Sequence, residues 1–258
     1  MICIPNKDVP IIIPFGHRCI GKTLMIHRLI RYLLEDGYCC TPERTFRNDT
    51  EYESICKEHE KVLFHKGTIP VATLDKGDIL LEILDRKNNH CCYLFDCCGE
   101  RFCNADYTLA EMSSYLTEII DSPNPKIWLF MYDAAPCLDE NERCDYVNAI
   151  RLFYSSLDYK KNKAVCVLSK ADKCFGLFKA GKIDKDIAFD KANELYHNFM
   201  KQFEERNIVS RLLHTDKWQF VPFCSGEVIY KNDENYEFIP GPNEFPMKLW
   251  NTLITNFK

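Results

Sequence analysis

The chain is predicted to fold as a three-layer α/β structure, a mixed but mostly parallel sheet with helices on both faces. Three observations predict it. Short apolar runs alternate with longer stretches of helical periodicity, the pattern of strands and crossover helices. The first run, Val9–Phe15, leads directly into Gly16-His17-Arg18-Cys19-Ile20-Gly21-Lys22-Thr23, a G-x-x-x-x-G-K-T loop that opens an amphipathic helix. With 258 residues, 46% of them hydrophobic, the chain holds enough apolar material for an ordinary core.

The apolar runs Val9–Phe15, Ile79–Leu84, Cys91–Phe95, Ile127–Tyr132, Ala164–Leu168 and Gln219–Phe223 read as six strands. The second and third are joined by Asp85–Asn89, too short for a crossover helix, so they form an antiparallel hairpin and the sheet is mixed. The first helix spans Lys22–Glu35, with Leu24, Leu29 and Leu33 beside Ile26, Ile30 and Leu34 on its apolar face and Asp36-Gly37 closing it. Further helices are expected over Ala105–Ile120, Glu142–Leu157, Lys185–Glu205 and Phe245–Asn256. The Cys39–Lys76 insertion before the second strand is long, and its middle, Asp49–Phe64, reads as a helix capped by Asp49 or Thr50. No repeat, low-complexity tract or linker divides the chain, which predicts one domain over 1–258 with an insertion around 39–76 and a helical extension around 173–217. These two segments exceed what the core requires and are the candidate partner surfaces. The alternative is ordinary peripheral packing, and exposed aromatic residues such as Tyr52 or Phe64 would favour the interface.

Composition excludes several classes. No apolar run approaches the roughly 20 residues of a membrane helix, and no secretory leader is evident, so the expectation is a cytoplasmic protein without a membrane anchor. The second residue is not Gly and the chain ends Thr255-Asn256-Phe257-Lys258, which predicts neither myristoylation nor prenylation. The odd number of cysteines, 15, reads as reduced thiols rather than a disulfide framework. Cys91, Cys92 and Cys166 lie in strand-like runs, and the pairs Cys39-Cys40 and Cys97-Cys98 lack zinc spacing. A net charge of −5 has the wrong sign for broad contact with a nucleic-acid backbone.

Four segments carry chemistry. The first is the loop Gly16–Thr23, whose backbone N–H groups ring a phosphate at a helix N-terminus, with Lys22 reaching the outer phosphates and the Thr23 hydroxyl a hard ligand for Mg2+. The second, Asp96-Cys97-Cys98-Gly99, follows the third strand and sets a carboxylate at a strand's carboxyl end, where ligands of open α/β sheets bind. The third, Ser169-Lys170-Ala171-Asp172, follows the fifth strand. There Asp172 can accept from the N1 and N2 donors of guanine, which adenine lacks in that place, while the Lys170 stem lies over the ring. The fourth, Phe223-Cys224-Ser225-Gly226, follows the sixth strand and could offer Ser225 and Gly226 N–H groups to the base oxygen.

In this order and spacing the segments resemble the P-loop GTPases with a Ras-like core, over nearly the whole chain. The resemblance implies a six-stranded sheet with one antiparallel strand, GTP/GDP and Mg2+ as ligands, and partner binding through nucleotide-ordered switch segments. It assigns Gly16, His17, Arg18, Cys19, Ile20, Gly21, Lys22 and Thr23 to the phosphates, Asp96 to the cation, Gly99 to the start of switch II, and Ser169, Lys170, Asp172, Ser225 and Gly226 to the base. The segment Gly67-Thr68-Ile69-Pro70-Val71-Ala72-Thr73 is similar to bacterial GTPases of the double-GTPase type. The switch I threonine that closes on Mg2+ and the γ-phosphate is Thr73 or Thr68, and Thr73 lies at the more usual distance before the second strand.

Three departures bear on catalysis. Glu100 stands where many relatives carry a water-orienting Gln; it either activates water or pairs with Arg101. Arg18, at a position often small, obstructs hydrolysis, reaches the phosphates as a cis arginine finger, or points to solvent. Ser169 replaces the usual Asn and can make fewer hydrogen bonds. The sequence therefore predicts a slow GTP-hydrolysing switch, with Glu100, Thr73 and Lys22 catalytic. The alternatives are a nucleotide-binding scaffold with little hydrolysis, and a P-loop ATPase or kinase.

Overall fold

The computed structural model describes residues 2–64, 77–97, 99, 102–103, 114–158, 160–179, 182–197, 199, 219–230 and 236–257. Along the chain run β1 (Ile11–Phe15), α1 (Lys22–Glu35), β2 (Cys39–Pro42), α2 (Thr50–Phe64), β3 (Ile79–Leu84) and β4 (His90–Asp96). They are followed by α3 (Ser114–Asp121), β5 (Lys126–Asp133), α4 (Glu140–Ser156) and β6 (Asn162–Ser169). A small hairpin of β7 (Phe178–Lys179) and β8 (Lys182–Ile183) precedes α5 (Lys185–Leu195). Last come β9 (Gln219–Pro222), a second hairpin of β10 (Gly226–Tyr230) and β11 (Tyr236–Pro240), and α6 (Glu244–Thr255).

The main sheet has the order β2-β3-β4-β1-β5-β6-β9. Strands β4, β1, β5, β6 and β9 are mutually parallel, β3 pairs antiparallel with β4, and β2 antiparallel with β3. One strand therefore opposes the rest, as expected, but among the described residues the sheet has seven strands rather than six. The added strand, β2, lies in the segment read as an insertion. Its Cys-Cys-Thr-Pro has no clear alternation, and Pro42, which lacks an N–H, is tolerated because β2 is an edge strand.

The central strands are legible because both their faces are covered, which turns a strand into an unbroken apolar run. Every residue of β1 and of β5 is buried. Pro14 in a central strand calls for a reason. Ile11 N–H donates to Pro125 O, on the β5 side, and alternation along a parallel ladder turns the Pro14 nitrogen toward β4, where pairing ends at Ile12↔Leu94. Pro14, which has no N–H to give, thus stands where the β1–β4 ladder ends.

Helix α1 buries Met25, Ile26, Leu29, Ile30 and Leu33 and ends as Gly37 turns left-handed (φ 84°), the Tyr38 N–H reaching back to Leu33 O. For α2 the cap is Asp49, whose Oδ1 accepts from Tyr52 N–H at 2.8 Å. Tyr52 itself is buried and its hydroxyl donates to Glu43 O at 2.9 Å, so it does not mark an exposed interface. The helix α4 begins with a capping box in which Asp139 and Glu142 each bond the other's main chain. The described part of 173–217 is not wholly helical, since a 3-10 turn (Phe175–Leu177) and the β7–β8 hairpin come before α5. That helix stops at Leu195, short of the expected Glu205, because Tyr196 leaves helical geometry (φ −119°, ψ 76°) and turns its ring under the sheet, 5.2 Å from Tyr132. Among the described residues, no helix is long and apolar enough to cross a membrane.

Candidate functional site

Because β4, β1, β5, β6 and β9 run in parallel, their carboxyl ends share one edge of the sheet, the place where open α/β folds bind ligands. The Gly16–Thr23 loop rises from β1 at that edge. Cys19 (φ 62°) and Gly21 (φ 98°) both take left-handed backbone, which curls successive N–H groups toward one point. Gly21 is the N-cap of α1 and supplies no side-chain cap, so the first-turn N–H groups face the loop with the helix's partial positive charge.

Lys22 is buried, and its Nζ donates to Gly16 O at 2.8 Å and His17 O at 2.9 Å. The His17 ring stands edge-on to Tyr146 at 4.9 Å, and Tyr146 donates its hydroxyl proton to Met131 O at 2.7 Å, bracing the loop from α4. Burial drives the His17 pKa down to about 4; its hydrogen bond with the Arg18 carbonyl opposes this and Lys22 adds to it. Near neutral pH His17 is an uncharged wall of the loop. Arg18 and Cys19 are exposed.

Asp96 ends β4 next to this loop, fully enclosed. Its Oδ1 is buried without a hydrogen-bond partner, and the carboxylate bonds the Thr23 hydroxyl. Desolvation raises its pKa to about 7, against the pull of Lys22 and with a further push from the charge of Asp78. Asp78 precedes β3, is itself buried, and sits one residue before the Ile79↔Asp96 pair. A hydroxyl on half-buried Thr23 and a buried carboxylate with an unpartnered oxygen, backed by a second buried carboxylate, form a hard-oxygen donor set that fits Mg2+. Thr23 and Asp96 are the residues that would hold the cation.

Gly99 touches the loop from the other side. A Cβ there would stand 2.6 Å from Arg18 N, 2.6 Å from the His17 carbonyl carbon and 2.7 Å from Lys22 Nζ. Only a glycine allows this approach. Phe102 fixes the segment, its N–H donating to Gly99 O at 3.0 Å and its ring buried 4.6 Å from Phe15.

The Ser169–Asp172 and Phe223–Gly226 loops are joined to each other and to the Gly16–Thr23 loop. Ser169 Oγ lies 2.8 Å from Ile20 O and 3.1 Å from Tyr132 O. Lys170 takes left-handed backbone (φ 52°) and its Nζ lies 2.5 Å from Asp133 Oδ2. Asp172 accepts from the Cys224 thiol, and this, with the carboxylate's charge and above all burial, pushes Cys224 up to about 12. The Ala171 N–H donates to Phe223 O at 3.1 Å, fastening the third segment to the fourth. The Gly226 N–H faces the Cys224 sulfur, and Gly226 (φ 123°) opens β10, where a Cβ would lie 2.3 Å from Ile239 O. Ser225 O accepts from Gly241 N–H at 3.1 Å. Arg28 in α1 grips the far side of this hairpin, donating to Gly241 O at 2.7 Å and to Asn243 Oδ1.

The structure thus brings Gly16–Thr23, Asp96, Gly99 and Ser169 into one cluster and ties Lys170, Asp172, Ser225 and Gly226 to it. Thr68, Thr73, Glu100 and Arg101 lie outside the described residues. Sequence reading missed Asp78, Asp133, Tyr146 and Arg28. Asp133 had a signal, a carboxylate at the end of a strand beside the one that carries Ser169.

Loop, strand order and flanking helices together define a P-loop α/β fold of the kind found in solved GTP-binding proteins. The particular likeness is to chloroplast translocon components, atToc33 and psToc159, for whose GTPase activity dimerization is important: 11% identity, TM-score 0.52, with 97% of this chain and 83% of that one covered. Nucleolar GTP-binding protein 1 from Plasmodium falciparum aligns at 14% identity and TM-score 0.47 over 99% of this chain and 91% of its own. GDP-bound aIF5B from Aeropyrum pernix aligns at 14% identity and TM-score 0.38 over 84% of this chain and 33% of its own. No family model and no curated protein sequence matches the chain.

Proposed function

We propose that the protein is a guanine-nucleotide switch, one cytoplasmic domain over 1–258 that binds GTP and GDP with Mg2+ and hydrolyses GTP slowly. The observation that carries this reading is the bond between its halves: Ser169 Oγ, 2.8 Å from Ile20 O, fixes the base-reading segment to the phosphate loop. The N–H groups of Gly16–Thr23 and the Lys22 ammonium hold the phosphates, and the Gly99 N–H meets the outermost one. Asp172 accepts from the guanine edge while the Lys170 stem covers the ring. Thr23, Asp96 and Thr73 serve the cation, which when bound neutralises charge on the phosphate oxygens. Glu100 orients the attacking water.

Turnover without an activator is expected on the order of 10⁻⁴ to 10⁻² per second. The switch segments and the 39–76 region bind a protein partner in one nucleotide state, and the Gly67–Thr73 segment supports the bacterial double-GTPase subtype. Calorimetric titration with non-hydrolysable GTP and ATP analogues, repeated on Asp172→Ala, tests the reading. Guanine-selective binding that the variant loses supports it; equal or ATP-preferring binding in the parent refutes it.

A further inference from the structure

Asp133 ends β5, opposite Ser169 in the β5–β6 register, and its side chain is 1% exposed. Every atom it presents is engaged. Oδ1 accepts from Ala135 N–H at 2.8 Å, Oδ2 accepts from Lys170 Nζ at 2.5 Å, and its own N–H donates to the Tyr196 hydroxyl at 3.0 Å. Lys170 is 35% exposed and holds left-handed backbone (φ 52°), a conformation that a non-glycine residue keeps only where its surroundings enforce it. The ion pair is such an enforcement. Tyr196 stands just after α5, and Arg143 of α4 donates to Leu195 O at 2.8 Å, so the end of α5 is itself fastened to α4.

We propose that Asp133 is the positioning residue of the base site: it pins the Lys170 ammonium so that the lysine stem is held across the place of the guanine ring. The inference rests on the guanine-nucleotide reading above and deepens it. A lysine with a free ammonium would sample several rotamers and would lose that freedom on each binding event. One already paired to a buried carboxylate has lost it beforehand. Tyr196 extends the arrangement to the end of α5. Burial raises the Asp133 pKa, and the Lys170 ammonium and the Ala135 N–H oppose the rise.

The test is the dissociation rate of a fluorescent GDP from the full chain, measured by displacement, with Asp133→Asn, Lys170→Met, their double variant and Tyr196→Phe. Asp133→Asn should speed dissociation about tenfold, the scale of one charge-assisted hydrogen bond. In the Lys170→Met background the same change should do nothing further. Because Lys170 contacts the ring face, Asp133→Asn should weaken GDP and inosine diphosphate equally, whereas a change at Asp172 separates the two. Tyr196→Phe, which removes only a hydroxyl, should give a smaller acceleration and covers the case in which Asp133→Asn fails to fold. An unchanged rate in Asp133→Asn, or the same acceleration with and without Lys170, would overturn the proposal. A parent that binds no guanine nucleotide would overturn the reading beneath it, a separate and recognisable outcome.

Discussion

Buried Asp96 carries a desolvation cost at the proposed cation site when no metal is bound. Its pKa stands at about 7 instead of the ordinary 3.8, a rise of about three units. At about 1.36 kcal/mol per unit this is roughly 4 kcal/mol, an upper bound for an enclosed carboxylate. The folded state holds this proton more tightly than the unfolded chain. Its contribution is therefore greatest below pH 4, falls as pH rises from about 4 to 7 and is gone above that window.

Two histidines pull the other way. His17, lowered to about 4, and His27, lowered well below 6.5 chiefly by burial, make stability rise with pH up to the ordinary histidine range. The Asp96 contribution must be read as a difference. Urea unfolding of the parent and of Asp96→Asn across that window, in chelator, should show the variant gaining on the parent steadily as pH rises. In millimolar Mg2+ the order reverses, since the cation binds the ionised carboxylate; below pH 7 its affinity for the parent should rise about tenfold per pH unit and then level off. A constant gap between parent and Asp96→Asn at every pH, with Mg2+ acting equally on both, would refute the reasoning.

Three further substitutions separate contact from backbone strain. Gly99→Ala must force the P-loop main chain apart, because the new Cβ meets Arg18 N at 2.6 Å; a loss of about 1–3 kcal/mol in unfolding free energy and of phosphate affinity is expected, by denaturation and calorimetry. Gly21→Ala meets nothing within 4 Å, so its cost, about 1–2 kcal/mol, comes from the left-handed φ of 98° alone and shows in thermal melting. Phe102→Ala should cost about 3–5 kcal/mol by leaving a cavity beside Phe15 and freeing the Gly99 segment, which would show as faster amide exchange at Cys103.

The readable part of the fold is the part buried on both faces. Ile11–Phe15 and Ile127–Tyr132 announce themselves as unbroken apolar runs, and the glycine-lysine-threonine spacing marks the Gly16–Thr23 loop because few other structures need it. Strand β2 was hidden because an edge strand of Cys39-Cys40-Thr41-Pro42 needs neither alternation nor a continuous run. The end of α5 was hidden because Tyr196 leaves the helix for a tertiary partner, Asp133 N–H, that no local pattern foretells. At the site, the residues that would touch a ligand stood in motifs. Those that brace them, Asp78, Asp133, Tyr146 and Arg28, come from other strands and helices, so only the folded arrangement reveals their role.

Arg28 gives the order in which the site would come apart. It sits seven positions beyond Gly21 on one stiff helix, a separation of roughly 10 Å at about 1.5 Å per residue. The start of that rod faces the Gly16–Thr23 loop, and Arg28, near its middle, holds the hairpin beyond the Phe223–Gly226 loop through side-chain bonds to Gly241 and Asn243. A protein that pulls on the β10–β11 hairpin breaks those bonds while the helix start stays in place. On the proposed guanine-nucleotide reading, exchange driven from that side releases the base first and the phosphates last.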